Sequence, residues 1–413
     1  MKRFWFIVLV PILLFFSCKE EKKSLNLGDW WATMDVSPTE NLPFNFNLSK
    51  NAEGSYIMKM YNADEEVVVD EITLTQDSIH IKMPIFEGYI LGTYDENGIQ
   101  GNFIKESLNR VVPFSAMFGK RNRFKVEEEP ISNISGIWET HFDYDTDNPY
   151  QAKGIFMQNG NDVTGTFRTK TGDYRFLEGV VSGDTLKLSA FDGAHVFLFT
   201  AQVTDSTLNG LFYSGNHSVE KFTASRNEAF ELPDANTLTY LKEGYDKFNF
   251  SFPDERGTTV SLTDSRFQNK VTLVQIMGTW CPNCLDETRF YVDFLEKNPG
   301  LEVEFVALAF EYAKTKEKAF EGIARLKERT SVPYPIVLAQ YGTSNKQKAN
   351  EKLPMLNHVL SYPTTIYIDK QGEVKKIHTG FNGPATGKKF EAFKEEFSQT
   401  IQELTSGEGS PSK

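Results

Sequence analysis

Two cysteines separated by two residues, Cys281 and Cys284, lie between a continuous apolar run and a helical pattern. The run, Val271 to Met277, is typical of a strand buried in a parallel sheet. The following stretch, Leu285 to Lys297, carries apolar residues at helical spacing. Strand and helix patterns then alternate to the end of the chain. Residues 238–405 are therefore predicted to form an α/β domain in which the cysteine pair begins a helix.

The position of the pair at a helix start predicts its chemistry. The backbone N–H groups there are unpaired and the helix dipole favours an anion, so the pKa of the first thiol is expected to be lowered. Pro282 fits the first helical turn, and the two intervening residues bring Cys284 round to meet Cys281. A thiolate in this place is the nucleophile of thiol–disulfide exchange.

Three other uses of a cysteine pair are less favoured. A structural zinc site needs four ligands, and the sequence has only three cysteines and no histidine cluster, so no metal is predicted. A structural disulfide across so short a loop would stabilise little, because the benefit grows with loop length. A peroxiredoxin would carry a lone reactive cysteine instead of a pair.

The C-terminal region resembles a known family, the TlpA/ResA-type thioredoxin-like reductases of the bacterial envelope. The resemblance is carried by Phe250-Ser251-Phe252-Pro253-Asp254, Trp280-Cys281-Pro282-Asn283-Cys284 and Tyr362-Pro363-Thr364. It implies a thioredoxin fold for residues 238–405, and an enzyme that needs no cofactor beyond its redox-active cysteine pair.

The resemblance also implies catalytic roles. Cys281 would attack the substrate disulfide, and Cys284 would resolve the mixed disulfide. Glu287 matches a family acid near the pair, and a solvated helix residue is the alternative interpretation. Gln275 stands where thioredoxin has a buried Asp that accepts a proton, which leaves that role to Glu287 or to water.

Substrate contacts and partners follow from the same resemblance. Pro363 would be a cis-proline facing the pair, with Tyr362 and Trp280 contacting the substrate. Oxidised envelope proteins are the expected substrates, and a membrane electron donor would re-reduce the pair. A reductase is favoured, and a disulfide oxidase or isomerase on the same fold is the alternative.

Residues 25 to 230 contain an internal repeat at a lag of about 105 to 109 residues. Asp77-Ser78-Ile79-His80-Ile81 recurs as Asp184-Thr185-Leu186-Lys187-Leu188, for example. Short alternating runs separated by turn residues predict a duplicated antiparallel β module, a barrel or a sandwich, at 25–124 and 131–228. Its scattered histidines, expected to be ordinary strand or surface residues, are His80, His141, His195 and His217. A spacer, dimerisation or docking role is expected, and a lipid-anchored binding protein dominated by these modules is a second alternative.

The two chain ends and the overall charge predict the location. Residues 1–17 read as a lipoprotein signal peptide, because Lys2 and Arg3 precede an apolar run too short to span a bilayer. Cys18 is the expected lipidation site, followed by a polar tether to residue 24 that resembles those of some Bacteroidota lipoproteins; an ordinary signal peptide is the alternative. The protein would then lie in the cell envelope on a lipid anchor, with the outer membrane favoured over the inner, and would face either the periplasm or the cell surface. Residues 406–413 are predicted to be a disordered tail.

The net charge of −12 argues against nucleic acid as a partner.

Overall fold

A computed structural model of the protein describes residues 24–406. The predicted signal peptide, the lipidation site Cys18 and almost all of the tether and tail lie outside the described residues. Residue Ser406, which the prediction assigns to the tail, is the last residue of a helix. None of the helices within residues 24–406 is long and apolar enough to cross a membrane.

The first β module is a nine-stranded antiparallel meander whose first and last strands pair with each other. Within the described chain, its sheet order leaves β4 and β5 as the two edges. Side chains alternate between the interior and the surface, as in β3, and Trp30, Phe44 and Phe46 fill the interior. The strands are β1 Gly28–Asp35, β2 Asn41–Lys50, β3 Tyr56–Asn62, β4 Glu65–Val69, β5 Glu71–Leu74, β6 Ile79–Lys82, β7 Tyr89–Tyr94, β8 Gly98–Lys105 and β9 Arg110–Phe118.

The second β module repeats this meander and closes it. Strand β10 pairs with both β11 and β18, and β11 pairs with β12, so the hydrogen-bonded ring is complete and forms a barrel. The strands are β10 Gly136–Phe142, β11 Tyr150–Asn159, β12 Asp162–Thr169, β13 Gly172–Asp173, β14 Leu177–Ser182, β15 Thr185–Phe191, β16 Val196–Val203, β17 Thr207–Ser214 and β18 Ser218–Arg226.

The two modules share detailed local geometry at their first strands. Gly28 and Gly136 have φ angles of +119° and +120°, a conformation that favours glycine. Two residues later, the indole N–H groups of Trp30 and Trp138 each donate to a carbonyl oxygen four residues earlier. The predicted fold class, a duplicated antiparallel β module followed by an α/β thioredoxin fold, is confirmed.

The α/β domain of residues 238–405, named the redox domain after its cysteine pair, contains a five-stranded sheet in the order β23-β22-β21-β24-β25. The first three of these strands are parallel to one another. Strand β24 is antiparallel to both of its neighbours, β21 and β25. Every residue of β21 is buried, as expected for a central strand. The elements are β19 Ser251–Pro253, β20 Thr259–Ser261, β21 Val271–Met277, α1 Pro282–Lys297, β22 Val303–Phe310, α2 Lys316–Thr330, β23 Ile336–Gln340, α3 Lys346–Lys352, β24 Thr364–Ile368, β25 Val374–Thr379 and α4 Lys388–Ser406.

The three units pack against one another. Phe191 of the second module lies 4.9 Å from Phe44 and 5.1 Å from Phe103 of the first module, measured between ring centroids. Arg325 and Arg329 of α2 both form ion pairs with Glu71 of the first module. The β modules are therefore not a detached spacer in this structure, and both reach the redox domain.

Candidate active site

The cysteine pair lies where β21 ends and α1 begins. Cys281 is the N-cap of α1, and its Sγ accepts the backbone N–H of Cys284 at 3.2 Å. The Cys281 thiol donates to the carbonyl oxygen of Tyr362 at 3.3 Å. Because the sulfur sits at the positive end of the helix dipole with an N–H already aimed at it, negative charge is stabilised there.

The two thiols differ in their access to solvent. Cys281 is 7% exposed and lines a cavity, whereas Cys284 is 0% exposed. Both are free thiols in this structure. Burial raises the pKa of the Cys284 thiol well above its usual range, and the hydrogen bond with Cys281 acts in the same direction. An incoming disulfide therefore meets Cys281 first, and Cys284 must lose a proton before it can act.

Glu287 lies on the buried side of α1, one turn beyond Cys284. It is 0% exposed, so the solvated helix position considered as its alternative is wrong. Its carboxylate accepts the side-chain amide of Gln275 at 2.8 Å and the hydroxyl of Thr365 at 3.0 Å. Burial raises the pKa of Glu287 to about 7, and these hydrogen bonds oppose the rise.

Gln275 connects this acid to the cysteine pair. Its side-chain amide also lies 3.5 Å from the Cys284 carbonyl oxygen, so one residue of β21 contacts both Glu287 and the backbone of the second cysteine. The carboxyl group is thus placed behind the pair, shielded from solvent, where it can hold or release a proton near neutral pH.

The residues predicted to contact substrate lie together on the open side of the pair. The Tyr362–Pro363 peptide bond is cis, as predicted. The rings of Trp280 and Tyr362 meet edge to face with centroids 5.5 Å apart, and both side chains line the cavity at Cys281. The indole N–H of Trp280 donates to the Phe310 carbonyl oxygen at 2.9 Å, which fixes the ring.

A second buried acid, Glu311, holds the segment in front of the pair. It follows β22 directly and accepts both the backbone N–H and the hydroxyl of Thr279 at 2.7 Å. Burial raises its pKa to about 7. Sequence reasoning missed this residue, although a polar residue at the carboxyl end of a buried parallel strand is a recognisable signal.

The second β module supplies part of the site, through the hairpin that joins β12 to β13 (residues 168–175, the β12–β13 hairpin). Its Asp173 carbonyl oxygen accepts the side-chain amide of Asn283, which lies between the two cysteines, at 3.2 Å. The Thr171 carbonyl oxygen accepts the hydroxyl of Ser361 at 2.8 Å, just before the cis-proline. Gly172 forms a bridge with Phe381, and an added Cβ there would collide with the Asn283 side chain.

The cavity at Cys281, about 340 Å³, therefore has walls from two units. Trp280 and Tyr362 come from the redox domain, and Tyr174, His195 and Phe197 come from the second module. His195 lies on this wall, and its Nδ1 is 3.1 Å from a carboxylate oxygen of Asp192. The sequence gives no signal for these contacts, since they depend on how the module docks.

Within residues 24–406, no group of three or more His, Cys, Asp or Glu side chains is placed to hold a metal ion.

Known proteins resemble the C-terminal part of the chain. Residues 242–393 match the Redoxin family. The thioredoxin-like protein YneN of Bacillus subtilis (strain 168) is 28% identical over 140 residues, which are 34% of this chain and 73% of that protein. The thiol-disulfide oxidoreductase ResA of Geobacillus kaustophilus (strain HTA426) is 29% identical over 134 residues, 32% of this chain and 66% of that protein. A solved thiol:disulfide interchange protein of the thioredoxin family from Chlorobium tepidum TLS is 19% identical, with a TM-score of 0.29, and covers 40% of this chain and 98% of that chain.

The fold, the site and these sequence matches define the class of protein: a thioredoxin-like thiol–disulfide oxidoreductase. Its redox domain is similar in sequence to thiol–disulfide oxidoreductases of the TlpA/ResA type. The two β modules lie before the residues that match the Redoxin family.

Proposed function

We propose that the protein reduces disulfide bonds of cell-envelope proteins through Cys281 and Cys284. The observation that carries the proposal is the placement of the Cys281 sulfur. It faces a cavity, caps a helix, and lies within hydrogen-bond distance of both the Cys284 N–H and the Tyr362 carbonyl oxygen. A nucleophilic thiolate and an extended substrate segment beside Tyr362 both fit this arrangement.

The reaction has two exchange steps. The Cys281 thiolate attacks one sulfur of the substrate disulfide, a mixed disulfide forms, and the other substrate sulfur leaves and takes up a proton. Cys284 then loses its proton and attacks the Cys281 sulfur, which releases the second substrate thiol. Two electrons pass to the substrate, and the enzyme is left with a Cys281–Cys284 disulfide.

The second step requires a base, because burial keeps the Cys284 thiol protonated. In this proposal the base is Glu287, whose pKa of about 7 suits proton transfer near neutral pH. Gln275, which contacts both Glu287 and the Cys284 backbone, positions the acid. Trp280, Tyr362 and Pro363 form the surface on which the substrate segment lies.

The direction of electron flow depends on the partners. As a reductase, the protein needs a donor of two electrons in the membrane to convert its disulfide back to the dithiol. The reduction potential of the pair separates this role from that of an oxidase or isomerase, because CxxC proteins range from about −270 mV to about −120 mV. A measured potential near the upper value would favour the oxidase.

Single cysteine variants test the proposed mechanism. In the full chain, Cys281→Ala is expected to abolish reduction of insulin disulfides and to capture no substrate, because no accessible nucleophile remains. Cys284→Ala is expected to turn over poorly but to accumulate mixed disulfides that dithiothreitol releases and mass spectrometry identifies. The double variant is the control for non-specific capture. If both single variants capture substrate equally, or the reduced wild-type protein reduces no disulfide, the proposal is wrong.

The envelope location rests on the N-terminal sequence. In this proposal the first seventeen residues are removed and Cys18 carries the lipid, with the outer membrane as the favoured site. Metabolic labelling with a clickable fatty acid is expected to mark the wild-type protein but not Cys18→Ala. Equal labelling of the two proteins would rule out lipidation at this residue.

A further inference from the structure

A second cleft adjoins the cavity at Cys281. It encloses about 480 Å³ between the first module, the second module and the redox domain. Trp280, Tyr174, His195 and Phe197 line both spaces, so the cleft and the cavity are neighbours that share a wall. A chain lying against Cys281 can therefore extend into the cleft without leaving the protein surface.

Three basic side chains line this cleft, namely Lys105, Arg110 and His217. Lys105 and Arg110 are paired residues at the turn between β8 and β9, and His217 comes from the turn between β17 and β18. Within residues 24–406, none of the three has a carboxylate within ion-pair distance. Three acids lie near the cluster, and each has a partner outside it: Asp192 pairs with His195 and Arg175, Glu220 accepts the Tyr150 hydroxyl, and Glu87 accepts the Ser107 backbone N–H. Asp192 and Glu87 still attract the Lys105 ammonium group at longer range and partly oppose the effect of its burial.

Lys105 is the most constrained of the three. Its side chain is 7% exposed, and the hydrogen bond found for its ammonium group is with the carbonyl oxygen of Ala194 at 3.2 Å. Burial lowers its pKa to about 8. Burying an ammonium group without a carboxylate in direct contact has a large free-energy cost. This buried group lines a cleft that lies beside the redox centre.

Arg110 adds a second positive charge to the cleft, whereas His217 adds an imidazole that is neutral at neutral pH. Burial lowers the pKa of Arg110, and burial with repulsion from Arg110 and Lys105 lowers the pKa of His217 to about 4. Two cationic groups that repel each other, Lys105 and Arg110, stand out in a chain with a net charge of −12. An anion in the cleft would relieve this repulsion and would accept charge-assisted hydrogen bonds.

We infer that this cleft binds a carboxylate-bearing segment of the substrate protein while the substrate disulfide lies against Cys281. The inference rests on the proposed function and adds a substrate preference to it. The shared wall is aromatic, through Trp280, Tyr174 and Phe197, so it suits apolar side chains between the cysteine and the acid. The preferred substrate has a cysteine, then a short apolar stretch, then Asp or Glu.

Matched peptides test the inference. Each peptide pair carries one disulfide and differs only in having Glu or Gln at two, four or six residues from the cysteine, which spans roughly 7 to 20 Å of extended chain. Single-turnover rates are measured with the pre-reduced full chain and expressed as the Glu-to-Gln ratio of the second-order rate constants. At the best spacing we expect a ratio of about ten, the effect of one charge-assisted hydrogen bond.

Substitutions in the cleft test whether its basic residues cause the preference for Glu over Gln. Arg110→Gln and Lys105→Met are expected to bring the Glu-to-Gln ratio close to one. Lys120→Gln removes an exposed lysine of the first module away from the cleft and is expected to keep the wild-type ratio. A ratio near one for the wild-type protein at every spacing, or a ratio unaffected by both cleft variants, would overturn the inference. In either case, continued reduction of the peptides would leave the proposed function standing, whereas no reduction at all would remove that function itself.

Discussion

At the scale of single residues, the redox domain buries two acids beside its cysteine pair. Glu287 lies behind the pair and Glu311 lies in front of it, each with a pKa raised by burial to about 7. An unfolded chain loses these protons near pH 4.5. Between that pH and about 7 the folded protein therefore holds more protons than the unfolded chain, so the free energy of unfolding falls as the pH rises.

The Glu287→Gln variant separates stability from catalysis. We expect it to remove about 3 kcal/mol of the pH-dependent loss of stability between pH 5 and pH 8. It should also slow the release of the second substrate thiol and remove the limb near pH 7 from the pH–rate profile, because the base for Cys284 is gone. Denaturant melts and stopped-flow kinetics across this pH range measure the two effects.

The matched control is Glu311→Gln. This variant loses a buried acid with a similar pKa but keeps the contact between Gln275 and Glu287, so it should flatten the stability profile and retain the kinetic limb. A kinetic limb that survives in Glu287→Gln would show that another group, or water, accepts the proton.

The sequence could predict that Glu287 lies near the cysteine pair but not that its carboxyl group is buried. Its spacing from Cys284 places it on the first turns of α1 and suggests a role near the pair. Its burial depends on Thr365, which is distant in sequence and reaches the carboxylate only through the pairing of β24 with β21. Local patterns contain no information about such a contact, so a solvated acid and a buried base looked equally plausible.

At the scale of elements, local sequence patterns predicted most of the strands and helices of the redox domain. Strand β21 has the predicted bounds, and α1 starts at Pro282 with Cys281 as its cap. The sequence pattern predicts a helical stretch near residues 345–357, and the structure has a shorter helix there, since α3 ends at Lys352. Pro354 explains the difference, because the residue before a proline disfavours the helical conformation.

The role of the β12–β13 hairpin could not be predicted from local sequence patterns. From sequence its Thr171-Gly172-Asp173 segment is an ordinary turn, with no residue type that suggests catalysis. In the structure the same turn accepts hydrogen bonds from Asn283 and Ser361. Gly172 has a φ of +147°, which favours glycine, and a Cβ there would also force the Asn283 side chain to move. The function of this turn is set by the docking of the module, which no single-sequence pattern encodes.

At the scale of the whole molecule, one arginine joins the three units. Arg175 of the second module is 5% exposed, and its guanidinium contacts Glu65 of the first module and Asp286 of helix α1. Its Nε also lies 3.6 Å from a carboxylate oxygen of Asp192 within its own module. Asp286 lies between Cys284 and Glu287 in sequence, so the ion cluster ends on the helix turn that carries the redox site.

Removing this arginine should loosen the assembly. Arg175→Met leaves Glu65 and Asp286 without this cation and leaves Asp192 with His195 as its remaining partner. Removing one partner of a buried ion pair typically costs about 3 to 5 kcal/mol. We expect a lower first unfolding transition, faster hydrogen exchange in the β12–β13 hairpin, and slower disulfide reduction, because the module wall no longer holds Asn283.

Arg256→Met, which removes an exposed arginine of the redox domain, is the control and should change none of these three measurements. Adding Asp286→Asn to Arg175→Met should recover part of the lost stability, since it neutralises one of the stranded acids. An unfolding transition and hairpin exchange unchanged in Arg175→Met would show that the other contacts between the three units hold them together without this arginine.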